Sequence, residues 1–372
     1  MSKSAIVIGA GIVGLATARA LSIKGFDVTV IERSTYAVGA SVRNFGMVWP
    51  VGQPSGTLYQ RACRSRDIWK EIGDSGAFWY EQAGSLHLAY HQDEWEVLQE
   101  LYEHYHAERP IQLLTAEQVV SKSTIAQTDK CLGALWSSDE TIVTPYKAIA
   151  SLPGYLNEAY GVEFIWDTAA TEVSSHKVKA GGNYYEADLI AVCSGADFET
   201  LYPEVYSKQP ITKCKLQMMR YSASSSDRVG AALCGGLSLI HYKSFTVAAT
   251  LEKLRDRYES EMNDYVKNGI HVMLSQNDEA SITLGDSHEY GLTFDPFDRE
   301  DINKLILDYL QQFANIKGFS PQASWHGIYA KSTIGATEIL LNPEPGVHII
   351  NALSGAGMTL SFGLAEEWSS GI

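Results

Sequence analysis

The chain has 372 residues with 45% apolar and 20% charged side chains and a net charge of -15, enough for two compact domains and the makeup of an ordinary soluble globule. That excludes a disulfide mini-scaffold or a disordered tail, and an acidic balance without any dense Lys/Arg run argues against a nucleic-acid partner. No stretch approaches the roughly 20 apolar residues that cross a bilayer and no cleavable leader is visible, while five scattered cysteines (Cys63, Cys131, Cys193, Cys214, Cys234) without zinc spacing predict a reduced, cytoplasmic setting and no metal.

Residues 5–8 form an apolar run ending at Gly9-Ala10-Gly11; residues 13–24 then carry apolar side chains at helical spacing up to Gly25, and 28–31 read as the next strand. Such a unit predicts a doubly wound α/β sheet. Residues 69–90 mix aromatic and apolar side chains with breaks at Gly73, Gly76 and Gly84 and read as a different domain, followed by an exposed amphipathic helix over 94–109. Thr115-Ala116-Glu117-Gln118 has a capping pattern, 145–160 reads as a helix leading into a strand at 162–165, and 188–195 is a buried-type strand ending in a glycine turn. Between 213 and 325, the spans 217–221, 238–242, 271–274 and 281–284 read as antiparallel strands, with helices at 251–266 and 299–313. A strand at 347–351, a small-residue turn at 354–357 and a helix at 360–369 close the chain. The expected organisation is a discontinuous nucleotide-binding domain of 1–82, 145–205 and 326–372, and a substrate domain of 83–144 and 206–325 built on an antiparallel sheet.

The chemistry starts at Gly9-x-Gly11-x-x-Gly14, placed between strand and helix, with Glu32 following 18 residues past Gly14. Gly9 permits the tight turn, Gly11 lets backbone approach a pyrophosphate, and Gly14 lets the helix pack on the strand. Ile12 and Val13 open the helix at its positive end, and Glu32, with Arg33 beside it, is placed to meet a ribose. FAD and NAD both satisfy this motif. A second strand-plus-glycine element (Ser194, Gly195) and a glycine turn entering the last helix (Gly355, Gly357) favour FAD, because a helix N-terminus stabilises an anionic reduced flavin. No second G-x-G-x-x-G is present, so one dinucleotide and no nicotinamide site is expected, with electrons coming from a small substrate and leaving to oxygen or a carrier.

The fingerprint, Gly39-Ala40-Ser41-Val42-Arg43-Asn44-Phe45-Gly46, residues 188–195 and Ser354-Gly355-Ala356-Gly357-Met358 together resemble the D-amino-acid oxidase, glycine oxidase and sarcosine oxidase superfamily over nearly the whole chain. The resemblance implies a glutathione-reductase-type FAD fold: a Rossmann-like α/β FAD domain, an α+β substrate domain, and the flavin ring between them. It implies that Ser41, Arg43, Asn44, Gly46 and Met47 run beside FAD, and Val173, Gly327, Ala356, Met358 and Thr359 join them as cofactor candidates. More narrowly, residues 43–50, 285–291 and 325–330 resemble a bacterial branch associated with phosphonate breakdown. That implies oxidation of an aminophosphonate, such as 2-aminoethylphosphonate or its N-methyl derivative, to an imine that hydrolyses. The covalent-flavin sarcosine oxidases carry a cysteine where Gly327 stands, so the FAD is expected to be noncovalent. They carry a carboxylate-binding lysine where Thr359 stands, which implies a different acid group. A glycine/sarcosine or D-amino acid oxidase or dehydrogenase is the alternative, and a noncatalytic flavin-binding protein the reading from a different class.

Amine oxidation by a flavin demands no protein nucleophile but does demand positioning and donors for an anionic end. The period of two over 325–331 puts Trp325, Gly327, Tyr329 and Lys331 on one strand face, and Tyr329 matches a flavin-facing tyrosine of the resembled family. His241, Tyr242 and Lys243 form a dense polar cluster, His288 and Tyr290 lie in the turn-like 285–291, and Arg43 can neutralise a phosphate or the substrate anion. Tyr329, His241, His288 and Arg43 are therefore the catalytic candidates, and Tyr242, Lys243, Tyr290, Lys331 and Met47 the substrate contacts. Lys215 and Gln217 are expected at the surface.

Overall fold

Apolar runs from both ends of the chain meet in one sheet. In the computed structural model, which describes residues 3–223 and 228–372, Ser4–Ile8 pairs in parallel with Asp27–Ile31 and Leu189–Val192, the latter pairs in parallel with Val347–Ala352, and Glu163–Ile165 and antiparallel Glu338–Glu344 form the edges. The strands Ser4–Ile8 and Leu189–Val192 read as nearly unbroken apolar runs because both their faces are covered. Helices Ile12–Ile23 and Pro145–Tyr160 lie where the spacing predicts them.

One long helix, Thr57–Asp74, was not legible in the sequence. Trp69, within the 1–82 span assigned to the nucleotide-binding domain, is buried in the core of this first sheet, edge-on to Phe78 and Phe362 at centroid distances of 5.3 and 5.1 Å. Its Nε1 donates to the Met358 carbonyl at 2.8 Å. Two buried arginines complete the clamp on the C-terminal helix Gly357–Ser369: Arg19 reaches Glu366 at 3.0 Å, and Arg61 reaches Glu367 at 2.6 Å and Glu338 at 3.0 Å. A Cβ at Gly363 would stand 2.6 Å from the Arg61 carbonyl, so glycine sets how closely these helices approach.

The second sheet has nine strands and is antiparallel apart from one parallel pairing, Ala232–Cys234 with Ser85–Ala89. Its spine is Ile211–Ala223, paired on one edge with Phe319–Ser332 and on the other with Ile282–Gly285 and Glu289–Gly291. Helices Gln92–Tyr105 and Glu300–Phe313 bury apolar faces in its core. Three expectations need correction here. Residues 238–242 are not a strand: 238–240 end the 3-10 turn Gly236–Ile240, and 241–242 link it to a second, Lys243–Val247. Leu237 and Leu239 alternate as in a strand, yet Gly235 and Gly236 thread between Tyr258, Tyr309 and Phe313, where a Cβ would lie within 2.7 Å of a neighbour. The helix expected over 251–266 breaks at Met262 into Leu251–Glu261 and Asn263–Lys267. Lys215 and Gln217, expected at the surface, are 3% and 4% exposed. Lys215 Nζ donates to the carbonyls of Asp295 (2.7 Å) and Phe297 (3.1 Å), and Gln217 Nε2 to that of Arg299 (2.9 Å), tethering the 292–299 segment.

Behind this sheet Glu140 is fully buried, accepting from Val51 N–H at 3.0 Å and Ser85 Oγ at 3.2 Å. Burial pushes its carboxyl up from 4.5 to about 7. The fold therefore favours the protonated form: the associated stability is complete below about pH 4.5 and is lost as pH rises through about 7, on the order of 3 kcal/mol. Glu140→Gln, which keeps an acceptor without the charge, is expected to raise the melting temperature relative to wild type by a few degrees more at about pH 8.5 than at about pH 5, measured by calorimetry on the FAD-loaded protein.

Candidate active site

The glycine turn after Ser4–Ile8 opens into a cavity of about 1220 Å³ that runs between the two sheets, larger than the roughly 300–1,000 Å³ of an ordinary small-molecule site. Gly9 has φ +104, and a Cβ there would sit 2.5 Å from the Cys193 carbonyl; one at Gly14 would sit 1.9 Å from the Gly9 carbonyl. Both glycines are therefore demanded by backbone packing, and Gly14 itself does not line the cavity. Gly11 does, and its Cβ would meet only Ser41 Oγ, at 3.1 Å. Ile12 and Val13 line the cavity where the helix begins, and the Ile12 N–H donates to Ser41 Oγ at 2.9 Å. Glu32 accepts from Ala10 N–H (2.9 Å) and Ser34 N–H (3.0 Å), fixing the turn while one edge faces the cavity. Arg33 lines the rim, paired with Asp197 at 2.8 Å.

The 39–47 segment borders the same space. Asn44 shapes it, its Nδ2 donating to the Ala40 and Ser41 carbonyls and its Oδ1 accepting from Gly46 N–H at 2.7 Å. Gly46 (φ +74) lies outside the cavity, because its role is close approach: a Cβ would stand 2.0 Å from the Val143 carbonyl. Arg43 lines the cavity and donates to the His326 carbonyl at 3.2 Å, and Met47 lines it too. Ser194 and Gly195 border it from the second strand, whereas Val173 does not: it lies on Ala170–Ser174 and packs against another core, with Thr168, Ala169 and Ala170 at the wall instead.

At the far wall, Gly355, Ala356, Gly357, Met358 and Thr359 enter the C-terminal helix. Thr359 Oγ1 accepts from Trp49 N–H at 2.9 Å, which fixes the oxygen beside that backbone. Gly355 (φ +74) lies against Tyr329, where a Cβ would be 3.1 Å from the phenol oxygen. Gly327 backs onto Arg43, a Cβ there lying 3.1 Å from the Arg43 carbonyl. Tyr329 is opposite Cys214 in the strand register, and burial holds its phenol well above the usual range.

Past Tyr329 the wall turns cationic and imidazole-rich. Lys331 lines it and forms no hydrogen bond or ion pair through Nζ among the described residues; burial lowers its pKa. His241, His271 and His288 converge there with Asp286. Burial pushes His288 down to about 4 and His241 and His271 well below the usual range, and raises Asp286 well above its own. Tyr242 borders the cluster with its hydroxyl 2.9 Å from Met273 Sδ. Lys243 lines the rim but is exposed and donates to the Gly335 carbonyl. Tyr290 stays outside, 56% exposed, stacked on His288 at 6.2 Å. His271 and Asp286 were missed by the sequence reading: one lies two residues before strand Met273–Gln276, the other where the chain leaves Ile282–Gly285, and only the pairing of those strands brings them together.

The donor set fits FAD at the glycine-turn end: a side-chain-free approach at Gly11, two helix N-termini opening on one cavity, and an acid after the second strand. The family described as DAO, FAD dependent oxidoreductase, matches residues 4–369. Among solved structures, L-proline dehydrogenase from P. horikoshii is similar at a TM-score of 0.80 with 19% identity, covering 99% of this chain and 92% of that one. Glycine oxidase from Bacillus cereus ATCC 14579 is similar at 0.78 with 14% identity, covering 99% and 94%. Among curated proteins, the tRNA 5-methylaminomethyl-2-thiouridine biosynthesis bifunctional protein MnmC of Saccharophagus degradans is 25% identical over 250 residues, which is 63% of this chain and 34% of that protein. The match thus spans about a third of that relative's length. No helix among the described residues is long and apolar enough to cross a membrane.

Proposed function

The chain belongs to the DAO family of FAD dependent oxidoreductases, and from that premise we propose that it oxidises a small primary or secondary amine carrying an acidic group, with an aminophosphonate as the substrate. The observation that carries this reading is the far wall of the cavity. In a protein of net charge -15, that wall offers Lys331 without a partner among the described residues, beside three imidazoles and the phenol of Tyr329. An acidic end of that size calls for a cation and donors around one group, here the Lys331 ammonium and the Tyr329 hydroxyl. A phosphonate, with three oxygens, suits this arrangement better than a carboxylate, and Thr359 offers no cation where a carboxylate-binding lysine would stand. The methylaminomethyl group in the curated relative's printed name is itself a secondary amine, which supports the amine class.

When bound at the glycine-turn end, FAD supplies the two-electron acceptor chemistry. Gly11, Ile12, Ser41 and Glu32 would hold it there, with the 355–359 turn lining the same cavity. Loss of two electrons and two protons from the CH–NH unit leaves an imine, which water hydrolyses; an N-methyl group leaves as formaldehyde. Lys331 fixes the acidic end, Tyr329 sets the substrate against the terminal turn, and the tethered 292–296 segment limits water. Burial in this chamber favours the neutral amine that oxidation requires.

Anaerobic mixing of the FAD-loaded enzyme with 2-aminoethylphosphonate, its N-methyl form, sarcosine, glycine and D-alanine tests the reading. Fast flavin bleaching by an aminophosphonate with the carboxylates inert is expected, and readmitting air then separates transfer to oxygen from transfer to a carrier. Bleaching by the carboxylates alone moves the substrate to the amino acids.

A further inference from the structure

We propose that His241, His271 and His288 bind a divalent transition-metal ion of the zinc type at the substrate end of the cavity. One nitrogen from each imidazole lies within 4.8 Å of the other two, and the ring centroids stand 3.8, 4.8 and 5.0 Å apart. The sequence offered no metal-ligand spacing because the three residues come from three segments: the end of the turn Gly236–Ile240, the approach to strand Met273–Gln276, and the excursion after Ile282–Gly285.

Backbone fixes two of them. Asp286 N–H donates to the His271 carbonyl at 2.9 Å, His271 N–H to that of Asp286 at 3.2 Å, and His288 N–H to that of Asn268 at 3.0 Å. His288 Nδ1 lies 2.9 Å from the Gly269 carbonyl. A carbonyl only accepts, so Nδ1 carries the proton and Nε2 presents a lone pair. His271 Nε2 lies 3.1 Å from Asp286 Oδ1, off the hydrogen-bonding direction, and its buried Nδ1 has no partner. The two rings are 4% and 7% exposed. An unpaired buried nitrogen is unfavourable, and a cation accepting the lone pairs removes that penalty. The Gly269 carbonyl behind His288 is also the kind of outer-shell partner that orients a metal-binding histidine.

All-imidazole ligation selects zinc and its transition-metal neighbours over magnesium or calcium. Zn–N bonds of about 2.0–2.1 Å set tetrahedral ligand atoms roughly 3.3 Å apart, so the cluster closes by about 1.5 Å at its widest. His241 supplies that movement: it is half-buried at the end of its turn, and its imidazole forms no hydrogen bond among the described residues. Three ligands leave a fourth position open to the cavity, where an oxygen of the acidic end coordinates. That last role rests on the acidic-amine reading; metal binding itself does not.

The test uses the FAD-loaded enzyme, stripped with a chelator, titrated calorimetrically with Zn²⁺ and analysed for metal by mass spectrometry. One zinc per chain is expected, with affinity reduced on the order of a hundredfold or more by His288→Gln and by His241→Ala at unchanged FAD content. His241→Ala, at a half-buried position, keeps the test decisive if His288→Gln fails to fold. Zinc below about a tenth of an equivalent, or an affinity unaltered by His241→Ala, overturns the site. Zinc bound as expected, but no bleaching by any acidic amine, keeps the metal site and fails the substrate reading. Bleaching by an aminophosphonate in an enzyme that takes up no zinc does the reverse.

Discussion

Gly11→Val is expected to yield a folded protein that purifies without its yellow cofactor. A Cβ at Gly11 meets only Ser41 Oγ, at 3.1 Å, and its extended backbone (φ -73, ψ 174) is open to any residue. The polypeptide therefore tolerates the side chain, and what it displaces is the dinucleotide that the bare backbone admits. The neighbouring glycines differ: Gly14 and Gly9 each stand where a Cβ would lie 1.9 or 2.5 Å from a carbonyl oxygen, so substitution there breaks the strand–turn–helix itself. FAD affinity is expected to fall on the order of a hundredfold, about 2.7 kcal/mol. The flavin-to-protein absorbance ratio and FAD titration of the apoprotein measure this, with far-UV circular dichroism unchanged. A yellow Gly11→Val protein with affinity within about tenfold of wild type sinks the assignment of the phosphate end to this turn.

Lys331→Met is expected to cost two to three orders of magnitude in kcat/KM, mostly through KM, with FAD content intact. The other cavity lysines are engaged: Lys213 with Glu199 at 2.7 Å, and Lys243 with the Gly335 carbonyl. Lys331 alone among these three has no such partner within the described residues, and a truncated charge-assisted contact costs about 2–5 kcal/mol. Lys331→Arg keeps the charge and is expected to recover part of the loss. Steady-state kinetics with the best amine of the panel decides: an unchanged kcat/KM in Lys331→Met removes this residue from the anion site.

The legible parts of the chain were those whose signals are local. Gly9, Gly11 and Gly14 announce themselves because a turn, a close approach and a helix crossing each forbid a side chain within a few residues. Glu32 and the 188–195 strand follow from spacing and apolar run. The misread parts depended on distant partners. Residues 238–242 alternate like a strand, but two glycines squeezed between helices force 3-10 turns. The helix Thr57–Asp74 carries charges along most of its length and buries only a stripe, Ile68, Trp69 and Ile72 among it, so its pattern is diluted. Lys215 and Gln217 looked like surface residues because nothing nearby in sequence satisfies them; their partners are the 295–299 carbonyls, some eighty residues on.

By itself, then, the sequence determined the nucleotide end of this protein, since a phosphate cradle is made of backbone and needs glycines at fixed short intervals. At the far end the sequence named Tyr329, Lys331, His241 and His288 singly, and tertiary structure brought them to one wall and added His271 and Asp286. Thirteen paired positions between Ile211–Ala223 and Phe319–Ser332 carry Tyr329 and Lys331 to the wall, and the meeting of Met273–Gln276 with Ile282–Gly285 sets His271 beside Asp286 and His288. Such a cluster has no sequence period, because its spacing is set by strand pairing and burial rather than by the chain.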